Sequence, residues 1–127
     1  MSDKTPLKPC FCKDCTRGRI HVHLAISAIG HDLLVTVLGG SQHIGAVAVA
    51  EQGHVFLRQC EGHREGEIAR DMALTLAQAS ARTVCVVCGI HYDHITRAEI
   101  DQVLAMCKEL EAFARDALQT LPLQSFR

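Results

Sequence analysis

Residues 20–38 read IHVHLAISAIGHDLLVTVL, and their pattern predicts the centre of the fold. From Ile20 to Ile26, large aliphatic side chains alternate with smaller or polar ones, a period of two that is typical of a strand with one buried face. A Gly-His-Asp turn follows, and residues 33–38 then form a short continuous apolar run. A run of that length indicates a central strand. The stretch therefore predicts two neighbouring strands of a sheet.

The segments that follow extend this sheet and then change period. Residues 45–50 are small and apolar, and a Gln-Gly turn leads into another strand at residues 54–59, which suits an antiparallel meander. Residues 64–79 repeat apolar side chains every three or four positions, so they are predicted to form a helix. Residues 83–88 are short and rich in β-branched side chains, which predicts a fifth strand.

A second helix follows the fifth strand. Thr96 and Glu99 form a Thr-x-x-Glu capping box, apolar residues then recur along one face as far as Ala117, and Pro122 ends the helix. The predicted order of elements is ββββαβα. Because two amphipathic helices can cover one face of one sheet, we predict an α+β two-layer sandwich with a mainly antiparallel five-stranded sheet.

Length and composition fit one aliphatic domain. The 127 residues are 48% hydrophobic but only 4% aromatic, so the core must consist of Val, Ile, Leu and Ala. We predict a Cys-rich N-terminal arm at residues 1–18 and the domain itself at residues 19–127. A net charge of −1 argues against a nucleic-acid partner. Without a membrane-length apolar run or a secretion signal, the sequence predicts a cytoplasmic protein that does not associate with membranes.

Seven cysteines are many for a chain of this length. Without a secretion signal, metal ligands or free thiols are favoured over disulfides. Cys10, Cys12 and Cys15 have the spacing of zinc ligands, with the fourth ligand left to a histidine, a further cysteine or a partner residue. The alternative is a mobile arm with reduced thiols.

Three glycine-marked loops each carry a histidine at the end of an apolar run, and they supply the candidate site. The residues that these loops contribute are Gly39, Gly40, His43, Gly62, His63, Arg64, Gly89, His91 and Tyr92. Glycine lets a backbone approach closely, and imidazole suits both metal ligation and proton exchange near neutral pH. If the fold gathers the loops at one end of the sheet, they form one composite site. The alternative is a set of scattered surface histidines.

Two kinds of ligand fit these residues. At the start of the first helix, His63 and Arg64 could bind a phosphate through free N–H groups and the helix dipole, or could merely cap and solvate the turn. Alternatively, His43, His63 and His91 could bind a divalent metal with an open fourth position. The protein would then be a small metalloenzyme whose metal activates water, with Glu65 as the nearest base.

Two further features leave alternatives open. Residues 45–48 have small side chains, which either leave room for a flat cofactor ring or a second subunit, or simply allow a helix to pack closely. Asp93 lies two residues after His91, so its carboxylate could share a metal with the imidazole, orient it, or stabilise a turn. No Ser-His-Asp constellation is recognisable that would indicate a nucleophilic enzyme.

Taken together, these ordered motifs resemble the LpdD-like family, the prenylated-flavin chaperones associated with UbiD-type decarboxylases. The matching stretches are LLVTV at residues 33–37 leading to Gly39-Gly40, HIGAVA at 43–48, GHRE at 62–65 and VVCGIHYDHIT at 86–96. The likeness spans residues 20–115, and the Cys-rich arm looks like an addition to the family core.

The resemblance implies a protein that binds prenylated FMN, an isoprenoid-modified flavin mononucleotide, and assists its maturation or its delivery to a decarboxylase. It implies an accessory chaperone rather than an enzyme, with His43, His63 and His91 as the family's loop histidines. With one Tyr and no Trp in the chain, stacking on a flavin ring would fall to Tyr92 or Phe56, or would be absent. A third possibility is a zinc-stabilised interaction subunit of the decarboxylase.

The assignment of both helices to one face leaves the other face of the sheet uncovered. A face rich in Val, Ala and Ile would be a large apolar patch, which soluble monomers seldom tolerate. Pairing two such faces about a two-fold axis covers both of them. We therefore predict a homodimer with the ligand site near the subunit boundary.

Overall fold

The structure is a computed structural model that describes residues 9–60 and 64–120. Its elements in chain order are β1 (Pro9–Arg17), β2 (Ile20–Ile29), β3 (Asp32–Gly40), β4 (Ala46–Glu51), β5 (His54–Gln59), α1 (Gly66–Ser80), β6 (Val84–His91) and α2 (Arg97–Thr120). The α+β class and the two helices agree with the prediction. The number of strands does not, because a strand precedes those that the sequence pattern indicated.

The strands form one mixed sheet in the order β1-β2-β3-β6-β4-β5. Strand β6 returns from α1 and inserts between β3 and β4, where it runs parallel to β3 and antiparallel to β4. The other neighbouring pairs are antiparallel. The predicted five-stranded, mainly antiparallel sheet was therefore wrong in its strand count, and β6 interrupts the meander predicted for the strands that precede α1. Insertion of β6 separates β3 from β4, although only a short loop connects them in sequence.

Strand β1 was not predicted, because apolar side chains do not alternate regularly along its sequence. Of its side chains, Phe11 and Cys15 pack against the core. The Phe11 ring stacks on Phe113 of α2 with ring centroids 5.6 Å apart, and Arg17 forms an ion pair with Glu109 of the same helix. Backbone pairing with β2 and these contacts with α2 hold the strand. The segment that we predicted to be an arm thus supplies an edge of the sheet over residues 9–17.

Both helices pack on one face of the sheet and contact each other, so the predicted two-layer arrangement is confirmed. Helix α1 covers β4, β5 and β6, while α2 lies over β1 and β2. The core between the layers is aliphatic, as the composition requires. Its largest fully buried side chains are Ile20, Leu24, Ile26, Leu33, Met72, Leu76, Met106 and Leu110.

The start of α2 confirms the predicted capping box. The backbone N–H of Glu99 donates to the Thr96 hydroxyl at 3.1 Å, and the Thr96 N–H donates to the Glu99 carboxylate at 3.0 Å. Two backbone donors at the helix start are therefore satisfied reciprocally. Helix α1 is capped at its C-terminal end by Ala81, which has a left-handed backbone conformation and whose N–H donates to the carbonyl of Ala77.

The sheet face opposite the helices is referred to below as the open face. The strand registers place on it the side chains of Leu34, Thr36, Leu38, Val47, Val49, Phe56, Cys85 and Val87. Phe56 is 76% exposed, and Val49 is also exposed. No helix within residues 9–60 and 64–120 combines the length and apolarity needed to span a membrane.

Candidate functional site

The strands that lead into the three glycine-marked loops finish at the same end of the sheet. Strands β3 and β6 are parallel and finish side by side, with Gly40 paired to His91. Strand β4 begins at Ala46, opposite Cys88 of β6 and opposite Gln59, where β5 finishes. The β3–β4 loop, the end of β5 and the β6–α2 loop are therefore neighbours. The insertion of β6 beside β3, which the sequence pattern did not predict, produces this convergence.

Two of the three predicted loop histidines lie together. The rings of His43 and His91 are 6.1 Å apart between centroids and nearly perpendicular, at 83°. The His43 ring is held by a 3.0 Å contact between its Nδ1 and the carbonyl of Ser41. The His91 ring is held by a 3.1 Å contact between its Nε2 and the carboxylate of Asp93. The His43 side chain is mostly buried, whereas that of His91 is half-exposed. Gly62 and His63 lie outside the described residues.

The glycines of this site allow backbones to approach one another. A Cβ on Gly89 would overlap the backbone carbonyl of His43, and one on Gly40 would overlap that of His91. Gly40 also has a φ of +65°, which disfavours other residues. A Cβ on Gly39 would lie 2.7 Å from the carbonyl oxygen of His21. These positions are thus glycine because the β3–β4 loop and its neighbouring strands pass too close for a side chain.

Glu65 is a buried carboxylate at the centre of this site. It is only 9% exposed, and its Oε1 lies 3.5 Å from Nε2 of His43. Sequence reasoning named this residue only as a base for a hypothetical metal-activated water. Its burial could not be found in the sequence, because it depends on Gly45, a residue of another loop. A Cβ on Gly45 would occupy the space that Oε2 of Glu65 fills.

The start of α1 offers fewer donors to a phosphate than the sequence suggested. The Gly66 N–H donates to the side-chain carbonyl of Gln59 at 2.9 Å, and Glu67 adds an acidic group to the first turn. Arg64 is exposed next to this helix start. A phosphate bound here would have to use the Arg64 guanidinium and the remaining N–H groups of the first turn.

Tyr92 anchors the β6–α2 loop to the sheet. Its hydroxyl donates to the carbonyl of His21 and accepts from the N–H of the same residue, each at 2.8 Å. The Arg19 guanidinium lies 5.7 Å from the Tyr92 ring and forms a 2.7 Å ion pair with Glu99. The hydrogen bond from Arg19 lowers the pKa of Glu99 to about 2. Both hydrogen-bonding functions of the Tyr92 hydroxyl are therefore engaged by protein backbone.

The small side chains of β4 serve helix packing. Ala46 and Ala48 are fully buried on the face covered by α1. They therefore form no shelf for a cofactor ring, which was one of the two interpretations of this segment. Their small size instead lets α1 approach the sheet closely.

The side chains of Cys12 and Cys15 in β1 are not placed to share a zinc ion. Cys12 pairs with Ala25 and Cys15 with Val22, two positions that lie three residues apart on β2. Because strand side chains alternate, the two thiols point to opposite faces. A ligand role for Cys10 falls outside the described side chains. Within residues 9–60 and 64–120, no group of three or more His, Cys, Asp or Glu has the geometry of a metal site.

A second polar cluster joins β1 to β2 on the same side of the sheet as the open face. One carboxylate oxygen of Asp14 lies 2.8 Å from a ring nitrogen of His21 and 2.8 Å from one of His23. The other ring nitrogen of His21 is 2.7 Å from the hydroxyl of Thr16. The hydrogen bond with His23 is the largest cause that lowers the pKa of Asp14. The alternation of β2 predicts that the two histidines share a face. Their contact with Asp14 could not be predicted, because Asp14 lies in β1, which the sequence analysis did not recognise as a strand.

The fold and the site define a two-layer α+β domain that carries its polar loops at one end of the sheet. A similar fold occurs in a chain from the crystal structure of a novel chaperone complex for yeast 20S proteasome assembly. The TM-score is 0.53 at 12% identity, over 84% of this chain and 98% of that chain. At that identity the likeness shows the fold alone.

Sequence comparisons give the family. Residues 16–119 match the prenylated flavin chaperone LpdD-like domain. Protein LpdD of Lactiplantibacillus plantarum is 30% identical over an alignment of 107 residues, and the match covers 79% of this chain and 79% of that protein. The chain belongs to the LpdD-like prenylated flavin chaperone family.

Proposed function

We propose that this protein binds prenylated FMN and delivers it, or assists its maturation, in a UbiD-type decarboxylase. Family membership supports the prenylated-flavin ligand. The observation that carries the site assignment is the grouping of His43, His91 and Glu65 at one end of the sheet. Binding sites of sheet proteins commonly lie in loops that a rigid scaffold holds at one end.

The proposed site contains groups of the kinds that a flavin mononucleotide needs. Its ring carries polar atoms along one edge, for which the two imidazoles and the buried carboxylate offer partners. Apolar contact is available from Ile44, which is 60% exposed, and from Ile90, which is partly buried. Arg64, exposed at the start of α1, is the proposed partner of the phosphate, together with His63. Delivery requires that such a site release its ligand, which suits partly open loops better than a closed cavity.

A metal-dependent function receives no support from the described residues. His43 Nε2 faces the Glu65 carboxylate, and residues 9–60 and 64–120 contain no cluster of three or more potential metal ligands. A role for His63 as a third ligand falls outside those ranges.

We further propose that the protein acts as a homodimer formed through the open face. Both helices lie on the opposite face, and the open face exposes Phe56 and Val49 beside further aliphatic side chains. Exposed apolar surface of this kind marks an interaction site in soluble proteins. A second copy of the same face would match it in size and character.

The function is tested by anaerobic titration with reduced prenylated FMN, followed by transfer to a decarboxylase that lacks its cofactor. We expect saturable binding by the chaperone, and decarboxylation that rises faster with the loaded chaperone than with the same amount of free cofactor. The control is FMN without the prenyl modification. Absence of binding contradicts the proposal that the protein binds the cofactor. Activation no faster than with free cofactor contradicts the proposal that it assists delivery or maturation.

A further inference from the structure

We infer that Glu65 is a ligand-binding residue whose Oε2 accepts a hydrogen bond from an N–H or O–H group of the bound molecule. The inference deepens the proposed function and rests on it, since it assigns one contact within the same site. The family match assigns no ligand contact to Glu65, and the sequence analysis did not count Glu65 among the cofactor-binding residues.

The first observation is the state of the carboxylate itself. Oε2 of Glu65 is buried and has no hydrogen-bond partner among residues 9–60 and 64–120. The other oxygen, Oε1, lies 3.5 Å from Nε2 of His43, within ion-pair distance. Buried polar atoms are nearly always hydrogen-bonded in folded proteins, because leaving one unsatisfied carries the full cost of its desolvation. An acceptor that is kept in this state is a candidate for a ligand contact.

The second observation is that the surrounding backbone is built to hold the carboxylate in place. Gly45 has no side chain where Oε2 lies, and its backbone is fixed from both sides. Its N–H donates to the carbonyl of Cys88 at 2.9 Å, and its carbonyl accepts from the N–H of Cys60 at 2.8 Å. The backbone carbonyl of Glu65 accepts the first helical hydrogen bond of α1, from Ala69 at 3.0 Å. A buried acceptor in a fixed frame is preorganised for a ligand and does not have to be ordered on binding.

The third observation is that the Glu65 carboxylate is not used to cap α1. The Glu65 side chain makes no capping hydrogen bond, although the residue occupies the N-cap position of α1. The adjacent Gly66 N–H is instead satisfied by Gln59 at 2.9 Å. Capping, the most common structural role for an acidic residue at this position, is therefore carried out by another side chain.

The chemistry of the acceptor defines the group it recognises. A carboxylate oxygen accepts but cannot donate, so it selects a donor such as a ring N–H. A reduced or oxidised flavin presents an imide N–H on its polar edge, which a buried carboxylate would bind more strongly than a neutral acceptor does. The phosphate of the same ligand cannot fill this position, because two anions would repel.

The inference predicts that stability and binding respond differently to substitution of Glu65. Glu65→Leu removes the unsatisfied Oε2 but also the 3.5 Å contact of Oε1 with His43, and because these two changes oppose each other the ligand-free protein should unfold at about the temperature of wild type. Its affinity for reduced prenylated FMN should fall by about ten- to hundredfold, the worth of a charge-assisted hydrogen bond. Glu65→Gln, which keeps one acceptor oxygen, should lose less affinity than the leucine variant.

Two matched variants separate this role from a structural one. Glu67→Gln removes an exposed acid from the same helical turn and should leave the affinity no weaker than that of wild type. Gln59→Ala removes the acceptor of the Gly66 N–H and should lower the unfolding temperature. The measurements are thermal unfolding of each ligand-free variant and anaerobic titration with reduced prenylated FMN.

The outcomes distinguish the inference from the proposed function. A stable Glu65→Leu variant with weakened binding supports the inference. A variant that binds as wild type does, or that loses stability to the extent of Gln59→Ala, overturns it while leaving the proposed function intact. Wild-type protein that fails to bind the cofactor overturns the proposed function and removes the ligand assigned to Glu65.

Discussion

The hydroxyl of Tyr92 bonds both backbone groups of His21, accepting from its N–H and donating to its carbonyl at 2.8 Å each. Two residues that are far apart in sequence are thereby fixed at the start of β2 and the end of β6. Because His91 immediately precedes Tyr92, this contact also sets where the exposed imidazole of the candidate site lies. The position of one predicted site residue thus depends on another whose role is structural.

We expect Tyr92→Phe to lower the free energy of unfolding by about 1 kcal/mol, because it deletes the hydroxyl that makes two hydrogen bonds to the backbone of His21. Urea denaturation of the two proteins measures the difference. The variant keeps its aromatic ring, so it separates the hydroxyl's role from ring stacking on a flavin. Equal stability would show that the bonds to His21 contribute nothing, and an affinity lost only in Tyr92→Leu would favour stacking.

The ion pair between Arg19 and Glu99 should make stability depend on pH at acid values. The pKa of Glu99 falls from its ordinary 4.5 to about 2, mainly because Arg19 hydrogen-bonds the carboxylate. A folded-state pKa below the unfolded value stabilises the fold fully above pH 4.5, and this contribution disappears as the pH falls towards 2.

The comparison protein is Glu99→Gln, which can retain the capping box but carries no charge. We expect wild type to be the more stable of the two above pH 4.5, with the gap closing as the pH approaches 2. Unfolding curves at a series of pH values measure this. A gap that stays constant over the whole range would show that the carboxylate's charge is not responsible.

Gly89→Ala should disrupt the candidate site by displacing the backbone at His43. The new methyl group would overlap the backbone of His43, so either the β3–β4 loop or β6 must shift. Overpacking of this kind costs about 1–3 kcal/mol or more, and we expect ligand affinity to fall together with stability.

The matched control for this variant is Gly30→Asn. Gly30 has a φ of +58° in a turn, nothing lies within 4 Å of the place that a Cβ would take, and Asn tolerates that conformation. Thermal unfolding and flavin titration of both variants decide between a local steric effect and a general sensitivity to glycine loss. Similar losses in the two variants would contradict the steric explanation.

Arg64→Ala tests the proposed phosphate contact. If the guanidinium binds the phosphate of reduced prenylated FMN, its removal should weaken binding about ten- to hundredfold, because the lost hydrogen bond is charge-assisted. Arg70→Ala is the control, since Arg70 is an exposed arginine of the same helix that pairs with Asp71. Unchanged affinity in Arg64→Ala would leave the phosphate to other groups.

The parts of the fold that sequence predicted are those that local periodicity encodes. The alternation of β2, the capping box of α2 and the helical repeat of α1 each depend on residues that are close in sequence. Strand β1 was missed because its sequence has no apolar period. It is stabilised instead by backbone pairing with β2 and by the stacking of Phe11 on Phe113, and neither contact is local in sequence. The insertion of β6 between β3 and β4 depends on tertiary packing, and no local sequence pattern predicts it.

The same distinction applies to the candidate site. His43 and His91 were predicted from their glycine-marked loops, and the structure places them together. Glu65 was not predicted as a central residue, because its burial requires Gly45 and His43 to approach from another loop. The zinc interpretation of Cys12 and Cys15 treated their spacing as that of a loop, whereas a strand turns the two thiols apart.

The proposed homodimer is tested at Val87, which lies between Thr36 and Val47 on the open face. An arginine at this central position would place a charge in the paired apolar faces, where its desolvation is not compensated. We expect light scattering to give twice the 13.9 kDa chain mass for wild type and the mass of one chain for Val87→Arg. The control is Leu104→Arg, which puts the same charge at an exposed apolar position on the helix layer and should leave the dimer intact. A wild-type mass of one chain at micromolar concentration would rule out the dimer. If only Leu104→Arg dissociated the protein, two copies would instead pair through their helices.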